Sequence, residues 1–519
     1  MNCDQKENTP PNIVFIMSDD HAFQAISAYG HQLNKTPNID RLAQEGALFK
    51  KAFVTNSICA PSRAVMLTGK HSFVNGKVDN MQDFNWDQDN FAKHLQKAGY
   101  QTAMVGKIHL RGLPQGFDYS AVLPGQGHYY NPDFIINGVK ERIEGYVTTI
   151  TTQLSLDWLK NKRDKNKPFL LLYHQKAPHR NWQPEEKYLT LFDDETFSPP
   201  ANFFDTYENR GKAAKTQEML VAASEEQIAA AHGNGGHGRW GHDFKMLVDP
   251  YGNDTGFEEN ELSRFTPKQK EAWLAAYTPK NEAMKVQKMS DKEIALWKFN
   301  RYIKDYLRTI QSVDDGVGEM LDYLDQEGLT ENTIVVYTSD QGFYLGEHGW
   351  FDKRFMYEES LRTPLLMRYP KEIKAGAVID KMVQNLDFAP TFLDYAGLSK
   401  PEALQGESFR DIVNQKSDQW RDAIYYTYYE YPSVHMVKRH YGVRTDRYKL
   451  IHFYYDIDEW ELYDLEKDPS EMYNVYNHTD YANIQKELHQ KLDELRTYYG
   501  DSDDFDQMHI DNYLSHLNR

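Results

Sequence analysis

Four short apolar runs, each continuous rather than alternating, stand out along the first two thirds of the chain. They lie at 13–17, 100–106, 168–173 and 333–338. Runs of this kind are typical of parallel strands that helices cover on both faces of a sheet. Helical periodicity is found at 37–46, 90–98, 296–316 and 317–327. The alternation of the two patterns predicts an α/β domain with a mainly parallel sheet.

The pattern changes near residue 416. Short aromatic segments follow at 424–430, 441–445, 448–454 and 461–463, and a helical segment covers 483–498. Strands followed by a helix indicate a separate α+β unit with an antiparallel sheet. We therefore expect two domains, 10–415 and 416–519.

A polar segment at about 195–300 fits neither pattern and is interpreted as an insertion in the first domain. It contains His232, His237 and His242 in a glycine-rich stretch. Three histidines could bind a metal, but the glycines favour a flexible, solvent-exposed loop.

Composition narrows the range of partners. Lysine and arginine number 59 and aspartate and glutamate 77, giving a net charge of −18 and a pI of about 5.5. Such a surface repels nucleic acid, so an anionic substrate requires a local basic pocket. That requirement favours a single anionic terminus over a long polyanion groove. No apolar run approaches the ~20 residues of a transmembrane helix.

The chain has two cysteines, Cys3 and Cys59, and with Cys59 assigned to chemistry no intrachain disulfide is expected. Cys3 heads a polar segment that resembles the start of a bacterial lipoprotein whose apolar signal is absent. This predicts a periplasmic or lipid-anchored protein, and the alternative is an ordinary cytoplasmic N-terminus.

Polar side chains follow each of the four apolar runs. They are Asp19 and Asp20, Lys107 and His109, His174 and His179, and Asp340 and Gln341. In an open α/β sheet the carboxyl ends of the strands form the ligand-binding edge. Adjacent carboxylates there could cap a helix, but they also suit a hard cation. Together the four groups predict a functional site at that edge.

Cys59 precedes Pro61, a run of helix formers at 64–67 and Gly69. This order predicts a helix that begins just after Cys59 and ends at Gly69. The helix dipole and Arg63 favour negative charge at the thiol, which suits an oxyanion substrate or chemical modification. The alternative is a small buried cysteine without a chemical role.

The order Cys59-x-Pro61-Ser62-Arg63, followed by Leu67-Thr68-Gly69, resembles the signature of the type I sulfatases. The resemblance runs from Asn12 to about Asn474. It implies an alkaline-phosphatase-like domain with a smaller C-terminal domain. It also implies that a sulfatase-maturing enzyme converts Cys59 to formylglycine, the nucleophile.

The same resemblance implies a Ca²⁺ ion, with Mg²⁺ possible for an all-oxygen site. The implied ligands are Asp19, Asp20, Cys59 as formylglycine, Asp340 and Gln341; the family often has Asn in place of Gln341. Arg63 and Lys107 would hold the nucleophile and the sulfate. His179 and Lys353 would assist the departing alcohol as general acids, and His109 would accept a proton when sulfate is expelled.

The substrate is inferred from segments 429–435 and 441–445, which resemble bacterial N-acetylglucosamine-6-sulfatases of mucin and glycosaminoglycan degradation, including heparan sulfate. We expect exo-acting 6-O-desulfation, with sugar recognition by Asp352, Arg354 and His435. Asp352 and Arg354 flank Lys353, although each could instead form a surface ion pair. The alternatives are a uronate 2-O- or other hexosamine sulfatase, a phosphodiesterase or phosphonate hydrolase, and a glycan-binding protein without activity.

Overall fold

The computed structural model describes residues 10–222, 237–284 and 288–517. Its main sheet has ten strands in the order β11-β2-β10-β9-β1-β8-β4-β5-β6-β7. The strands of this sheet are β1 (Asn12–Ser18), β2 (Ala47–Phe49), β4 (Gln101–Lys107), β5 (Tyr119–Leu123), β6 (Asp133–Ile136), β7 (Val139–Arg142), β8 (Phe169–His174), β9 (Thr333–Ser339), β10 (Leu365–Arg368) and β11 (Ala377–Ile379). A separate pair joins β3 (Ala52–Phe53) and β12 (Val383–Gln384).

The helices of the first 415 residues lie on both faces of this sheet and around its edge. They are α1 (Pro37–Gln44), α2 (Cys59–Thr68), α3 (Ser72–Asn75), α4 (Phe91–Lys97), α5 (Val147–Asp157), α6 (Lys212–Thr216), α7 (His237–His242), α8 (Phe257–Asn260), α9 (Pro267–Glu282), α10 (Asp291–Gln326), α11 (Glu358–Leu361), α12 (Phe388–Tyr395) and α13 (Arg410–Val413). Two hydrophobic clusters, one on each face, bury alternate residues of the central strands.

The four strands predicted from the apolar runs are the four adjacent central strands β9, β1, β8 and β4, and all three of their pairings are parallel. Ser18 pairs with Ser339, and Met17 and Gly106 both pair with His174. Because the strands end nearly in line, the polar residues that follow them meet at one edge.

The two helices expected at 296–316 and 317–327 are one helix of 36 residues, α10. Its first turn carries a capping box in which Ser290 accepts from the backbone of Glu293 and Glu293 accepts from the backbone of Ser290. The apolar pattern continues without a glycine or proline break strong enough to end the helix. Gly316 and Gly318 instead bring the helix close to Tyr173 and Asn38, where a Cβ would lie 2.6 Å from atoms of either side chain.

The C-terminal antiparallel sheet is as predicted. Its strands β13 (Ala423–Tyr428), β14 (His440–Thr445), β15 (Tyr448–Phe453) and β16 (Glu459–Asp464) pair in sequence order, and α14 (Ala482–Tyr499) and α15 (Asp503–Leu517) follow. One face of this sheet packs on α14. The other face joins residues of the first domain in a shared aromatic cluster that includes Phe355, Tyr357, Tyr426 and Tyr463.

The expectation of a solvent-exposed loop is wrong for residues 237–284. Trp240, Phe244 and Met246 are buried in a small cluster of their own, and Trp273 and Tyr277 of α9 stack and are buried. These aromatic side chains are widely spaced among polar residues, so the local composition concealed the core. His232 lies outside the described residues, as does Cys3.

Candidate active site

Three carboxylates meet where β1 and β9 end. Asp19, Asp20 and Asp340 are buried, and each offers an oxygen within 4.8 Å of the oxygens of the others. Asp20 has φ +66°, a strained conformation for a residue with a side chain, and its backbone N–H donates to Asp340 Oδ1 at 3.1 Å. Burial raises the pKa of Asp20 to about 6, although the ammonium of Lys353 opposes the rise.

The arrangement fits a hard cation. Within the described part of the chain, Asp20 Oδ2 and Gln341 Oε1 are buried without a hydrogen-bond partner. Gln341 Nε2 donates to Asp20 Oδ1 at 2.5 Å, and turning the amide by 180° would place its oxygen there instead. Carboxylate and amide oxygens of this kind are preferred ligands of Ca²⁺.

Cys59 is the first residue of α2 rather than the residue before it, and its side chain is buried. Its Sγ lies 3.4 Å from Asp19 Oδ1 and 3.4 Å from Lys353 Nζ, and 3.8 Å from Gln341 Nε2. Burial raises the pKa of this thiol to about 12, so the unmodified side chain is a neutral thiol and a weak nucleophile.

Three cations balance the three carboxylates. Arg63 donates from Nε to Asp340 Oδ2 at 2.9 Å and from Nη1 to the Lys107 carbonyl at 2.6 Å. Lys107 Nζ bonds to Asp19 Oδ2 and also to Gln126 Oε1. Lys353 Nζ donates to Asp20 Oδ1 at 2.5 Å. A divalent cation added to this set would leave a net positive charge, which suits a sulfate group.

Two histidines, His179 and His109, lie near the charged side chains of this cluster. His179 Nδ1 lies 2.6 Å from the Arg180 carbonyl, so Nδ1 carries the hydrogen, and Nε2 faces Asp20 Oδ2 at 3.8 Å. His109 has φ +53°, and its Nδ1 has no partner among the described residues. Burial and the nearby Lys107 ammonium hold the pKa of both histidines well below the usual value, so both are neutral.

Lys353 stays charged in spite of its position. Burial lowers its pKa, but the carboxylates of Asp20 and Asp352 raise it more, and the net shift is upward. The Lys353 ammonium is therefore held close to Cys59 as a hydrogen-bond donor and a positive counter-charge.

Asp352, Arg354 and His435 are buried, with exposed fractions of 6%, 5% and 2%, and do not form a surface ion pair. Arg354 Nε donates to Asp352 Oδ1 at 3.1 Å, and His435 Nε2 lies 3.2 Å from Asp352 Oδ2. All three residues have positive φ, at 74°, 95° and 67°. Strained backbone at about 1–3 kcal/mol each is characteristic of ligand-binding segments.

Sequence reasoning missed three residues that hold the site together. Gln126 contacts Lys107, Glu430 bonds to Arg354 Nη1, and Tyr306 of α10 donates to the Asp20 carbonyl at 2.7 Å. None follows an apolar strand directly, so the strand-end pattern could not find them. Of the three, only Glu430 lies in a segment that the sequence analysis linked to substrate recognition, 429–435.

A mainly parallel sheet flanked by helices, with carboxylates, cations and a cysteine at its carboxyl edge, is the alkaline-phosphatase-like architecture of ester hydrolases. The chain belongs to the sulfatase family, whose model, described as "Sulfatase", matches residues 11–398. A second model, described as "N-sulphoglucosamine sulphohydrolase, C-terminal", matches residues 346–498. The protein is a sulfuric ester hydrolase.

Among known proteins, the chain is 48% identical over 508 residues to an N-acetylglucosamine-6-O-sulfatase of Bacteroides thetaiotaomicron, covering 96% of this chain and 88% of that protein. It is similar, with TM-score 0.89 and 47% identity, to a solved structure in complex with its substrate D-glucosamine-2-N,6-O-disulfate, covering 95% and 99% of the two chains. A phosphonate monoester hydrolase of Agrobacterium radiobacter shares the fold, with TM-score 0.67, 20% identity and coverage of 94% and 96%.

In the described residues, helices are too short or too polar to cross a membrane. The sequence prediction of an envelope location therefore depends on Cys3, which lies outside those residues.

Proposed function

We propose that the protein removes the 6-O-sulfate from a terminal N-acetylglucosamine of a glycosaminoglycan or mucin glycan. The observation that carries this proposal is the meeting of Cys59 with Asp19, Asp20, Asp340 and Gln341 beside the buried trio of Asp352, Arg354 and His435. The first set suits a hard cation and the nucleophile that attacks the sulfate ester, and the second suits sugar hydroxyls. The relative from Bacteroides thetaiotaomicron named for this reaction supports the choice of sugar.

In this proposal Asp19, Asp20, Asp340 and Gln341 hold Ca²⁺ together with formylglycine made from Cys59 by a maturing enzyme. When present, the ion withdraws charge from the sulfate oxygens and the formylglycine hydrate supplies the nucleophilic hydroxyl. Arg63 fixes Asp340 through its guanidinium, and Lys107 fixes Asp19, so both cations orient the ligands and face the sulfate.

Departure of the sugar requires a proton for its oxygen. Lys353 is charged and lies near Cys59, so it is placed to donate from Nζ. His179 donates from Nε2 only when protonated, because its other ring nitrogen is bonded to the Arg180 carbonyl. His109, which is neutral, would accept the proton released as sulfate leaves.

The substrate proposal is tested with a panel of defined sugars. We expect the highest kcat/KM on 6-O-sulfated N-acetylglucosamine, with glucosamine-2-N,6-O-disulfate as the second compound. Uronate 2-O-sulfates, other hexosamine sulfates and a phosphonate monoester should be at least about tenfold poorer, because a sugar hydroxyl lost from a buried site leaves its partner unpaired. A preference for a sulfated uronate or a phosphonate would refute the proposal.

The chemistry is tested separately. Mass spectrometry of the Cys59 peptide should show formylglycine after expression with a maturation system, and Cys59→Ala should abolish turnover while leaving the fold intact. Asp19→Ala and Asp340→Ala should lose both metal and activity, because each substitution removes one of the carboxylates that would hold the ion. Full activity of Cys59→Ala, or active protein without stoichiometric Ca²⁺ or Mg²⁺, would contradict the mechanism.

A further inference from the structure

A second basic cavity lies away from the catalytic edge, between α9, α10 and the segment that precedes α6. It has a volume of about 360 Å³ and is lined chiefly by Asp193, Lys280, Trp297, Arg301, Lys304 and Arg308. Four of the charged side chains that line it are cations and one is a carboxylate. In a chain of net charge −18, this local excess of positive charge requires an explanation.

The excess remains when the ion pairs are followed. Asp193 is shared by Lys280, at 2.9 Å, and Arg308, at 2.6 Å. Asp305, which does not line the cavity, pairs with Arg308 at 2.8 Å and with Lys245 at 3.3 Å. Including this pair adds one carboxylate, Asp305, and one cation, Lys245, so the excess of positive charge is unchanged. Lys304 forms no ion pair with any residue that the structure describes.

Arg301 carries the second observation. Its exposed fraction is 7%, it lines the cavity, and its Nη1 has no hydrogen-bond partner in the described part of the chain. Its other terminal nitrogen, Nη2, donates to Asn281 Oδ1 at 2.7 Å. The guanidinium lies 5.1 Å from the ring centre of Trp297 and 5.2 Å from that of Tyr277, which fixes its plane. A buried, oriented donor of this kind can form a charge-assisted hydrogen bond with an anion.

The pKa values agree with this geometry. Burial lowers the pKa of Lys280 and Lys304, and the Arg308 guanidinium lowers both further. Burial also lowers the pKa of Arg301, although Asp305 opposes the change. An anion in the cavity would relieve the repulsion among these cations.

Three of the cations lie on one face of α10, since Arg301, Lys304 and Arg308 are spaced by three and four residues. Trp297, one turn earlier, adds a partly buried aromatic ring at the same face. An aromatic ring beside cations is suited to the apolar side of a sugar ring that carries an acidic group.

We propose that this cavity binds the sulfate group of an anionic saccharide, as a second glycan site distinct from the catalytic one. Binding at this cavity does not depend on which sulfate ester the enzyme hydrolyses at the catalytic edge. The cavity would hold a more distant sugar of the same saccharide whose terminal residue is processed at the catalytic edge, or a sugar of a neighbouring saccharide.

The test uses the full-length Cys59→Ala protein, in which turnover is blocked, and calorimetric titration with two probes. The probes are a heparin-derived tetrasaccharide and inorganic sulfate. Lys304→Glu is the main variant because Lys304 is only partly buried and forms no ion pair with a described residue. Lys292→Glu, at an exposed lysine of the same helix, is the charge-matched control.

We expect the tetrasaccharide to bind about tenfold more weakly or worse to Lys304→Glu, and unchanged to Lys292→Glu, because a charged hydrogen-bond partner is lost. In an otherwise wild-type chain, Lys304→Glu should keep kcat/KM on a sulfated monosaccharide. If inorganic sulfate binds as tightly as the tetrasaccharide and is lost in the same variant, the ligand is the free ion. Unchanged affinity of Lys304→Glu for both probes overturns the proposal.

Discussion

Asp352 is contacted from two sides, by Arg354 Nε and by His435 Nε2, and Arg354 also bonds to Glu430. A side chain held in this way has little rotational freedom, so its remaining lone pairs point in fixed directions. His435 Nδ1 is buried and has no partner among the described residues, which leaves one acceptor for a sugar hydroxyl. The residues proposed for recognition are thus fixed before substrate arrives.

This coupling predicts non-additive mutational effects. Asp352→Ala and His435→Ala should each lower kcat/KM on 6-sulfated N-acetylglucosamine by about ten- to a hundredfold, equivalent to about 1.5–3 kcal/mol. The double variant should lose much less than the product of the two, because each single change already disturbs the other residue. Asp422→Asn, in an exposed pair with Lys491, serves as the control and should be neutral. Independent, multiplicative losses would show that the residues act separately.

His71 supplies a prediction about stability. Burial lowers the pKa of His71 to about 3, while the unfolded chain titrates near 6.5. Between these values the unfolded state binds the extra proton, so this residue costs stability increasingly as pH falls below 6.5. His71→Phe should therefore gain stability relative to wild type by about 1.4 kcal/mol per pH unit between pH 6 and 4. Denaturant titrations at several pH values measure the difference, and parallel stability curves would contradict it.

At the scale of single elements, α10 connects the catalytic edge to the rest of the molecule. Tyr306 donates to the Asp20 carbonyl at 2.7 Å and accepts from the Ala22 N–H at 2.8 Å. These two bonds hold the turn after β1 in which Asp20 adopts positive φ. One helix thus positions a proposed metal ligand on one face and forms the basic cavity with Arg301, Lys304 and Arg308.

Tyr306→Phe should cost about 1–3 kcal/mol in the free energy of unfolding, because a buried N–H and a buried carbonyl lose their partner. We also expect weaker Ca²⁺ binding, since Asp20 is no longer held in place. Tyr302→Phe is the matched control, because Tyr302 donates to the Tyr344 carbonyl at 2.6 Å, one turn earlier on the same helix. Denaturant unfolding and calcium titration give the two values. Equal calcium affinity in both variants would remove the positioning role of Tyr306.

The central strands could be predicted from the sequence because each is a continuous apolar run. The runs are continuous because these strands lie at the centre of the sheet, where both faces are buried. The shortest strands could not. β2 and β11 have three residues each and β3 and β12 have two, so their pairing is decided by contacts distant in sequence. The same limit applies to the site: Asp19, Asp20 and Asp340 follow predicted strands, whereas Gln126 reaches Lys107 from a loop after β5.

At the scale of the whole molecule, the net acidic charge contrasts with the cations that gather at the catalytic edge. The net charge of the chain is −18, while Arg63, Lys107 and Lys353 are buried at the catalytic edge beside Asp19, Asp20 and Asp340. Long-range repulsion of polyanions by the surface is screened beyond about 8–10 Å in physiological salt, whereas a buried cluster is screened little. With a divalent cation added, this buried cluster would carry a positive charge and could attract a sulfate group in spite of the acidic net charge.

The C-terminal sheet packs against the first domain, and the segment between its first two strands contributes a residue to the candidate site. His435 comes from the segment between β13 and β14, and Tyr426 donates to the Arg354 carbonyl at 2.6 Å. Glu358 pairs with Arg444 and with Lys449, each at 3.0 Å, across the boundary near residue 416. The two sequence-defined domains therefore share one aromatic core and a buried charge network.

We predict that residues 10–415 cannot fold without residues 416–519. Removing the second part would expose Phe355 and Tyr357 and leave the Glu358 carboxylate without its two cations. The shortened chain should be insoluble or unfolded, as judged by circular dichroism and by loss of calcium binding. As a control, a protease site placed in the exposed segment 415–419 of the full chain should give two fragments that stay associated and active after cleavage. A soluble 10–415 fragment with native stability and calcium affinity would show that the boundary separates independent domains.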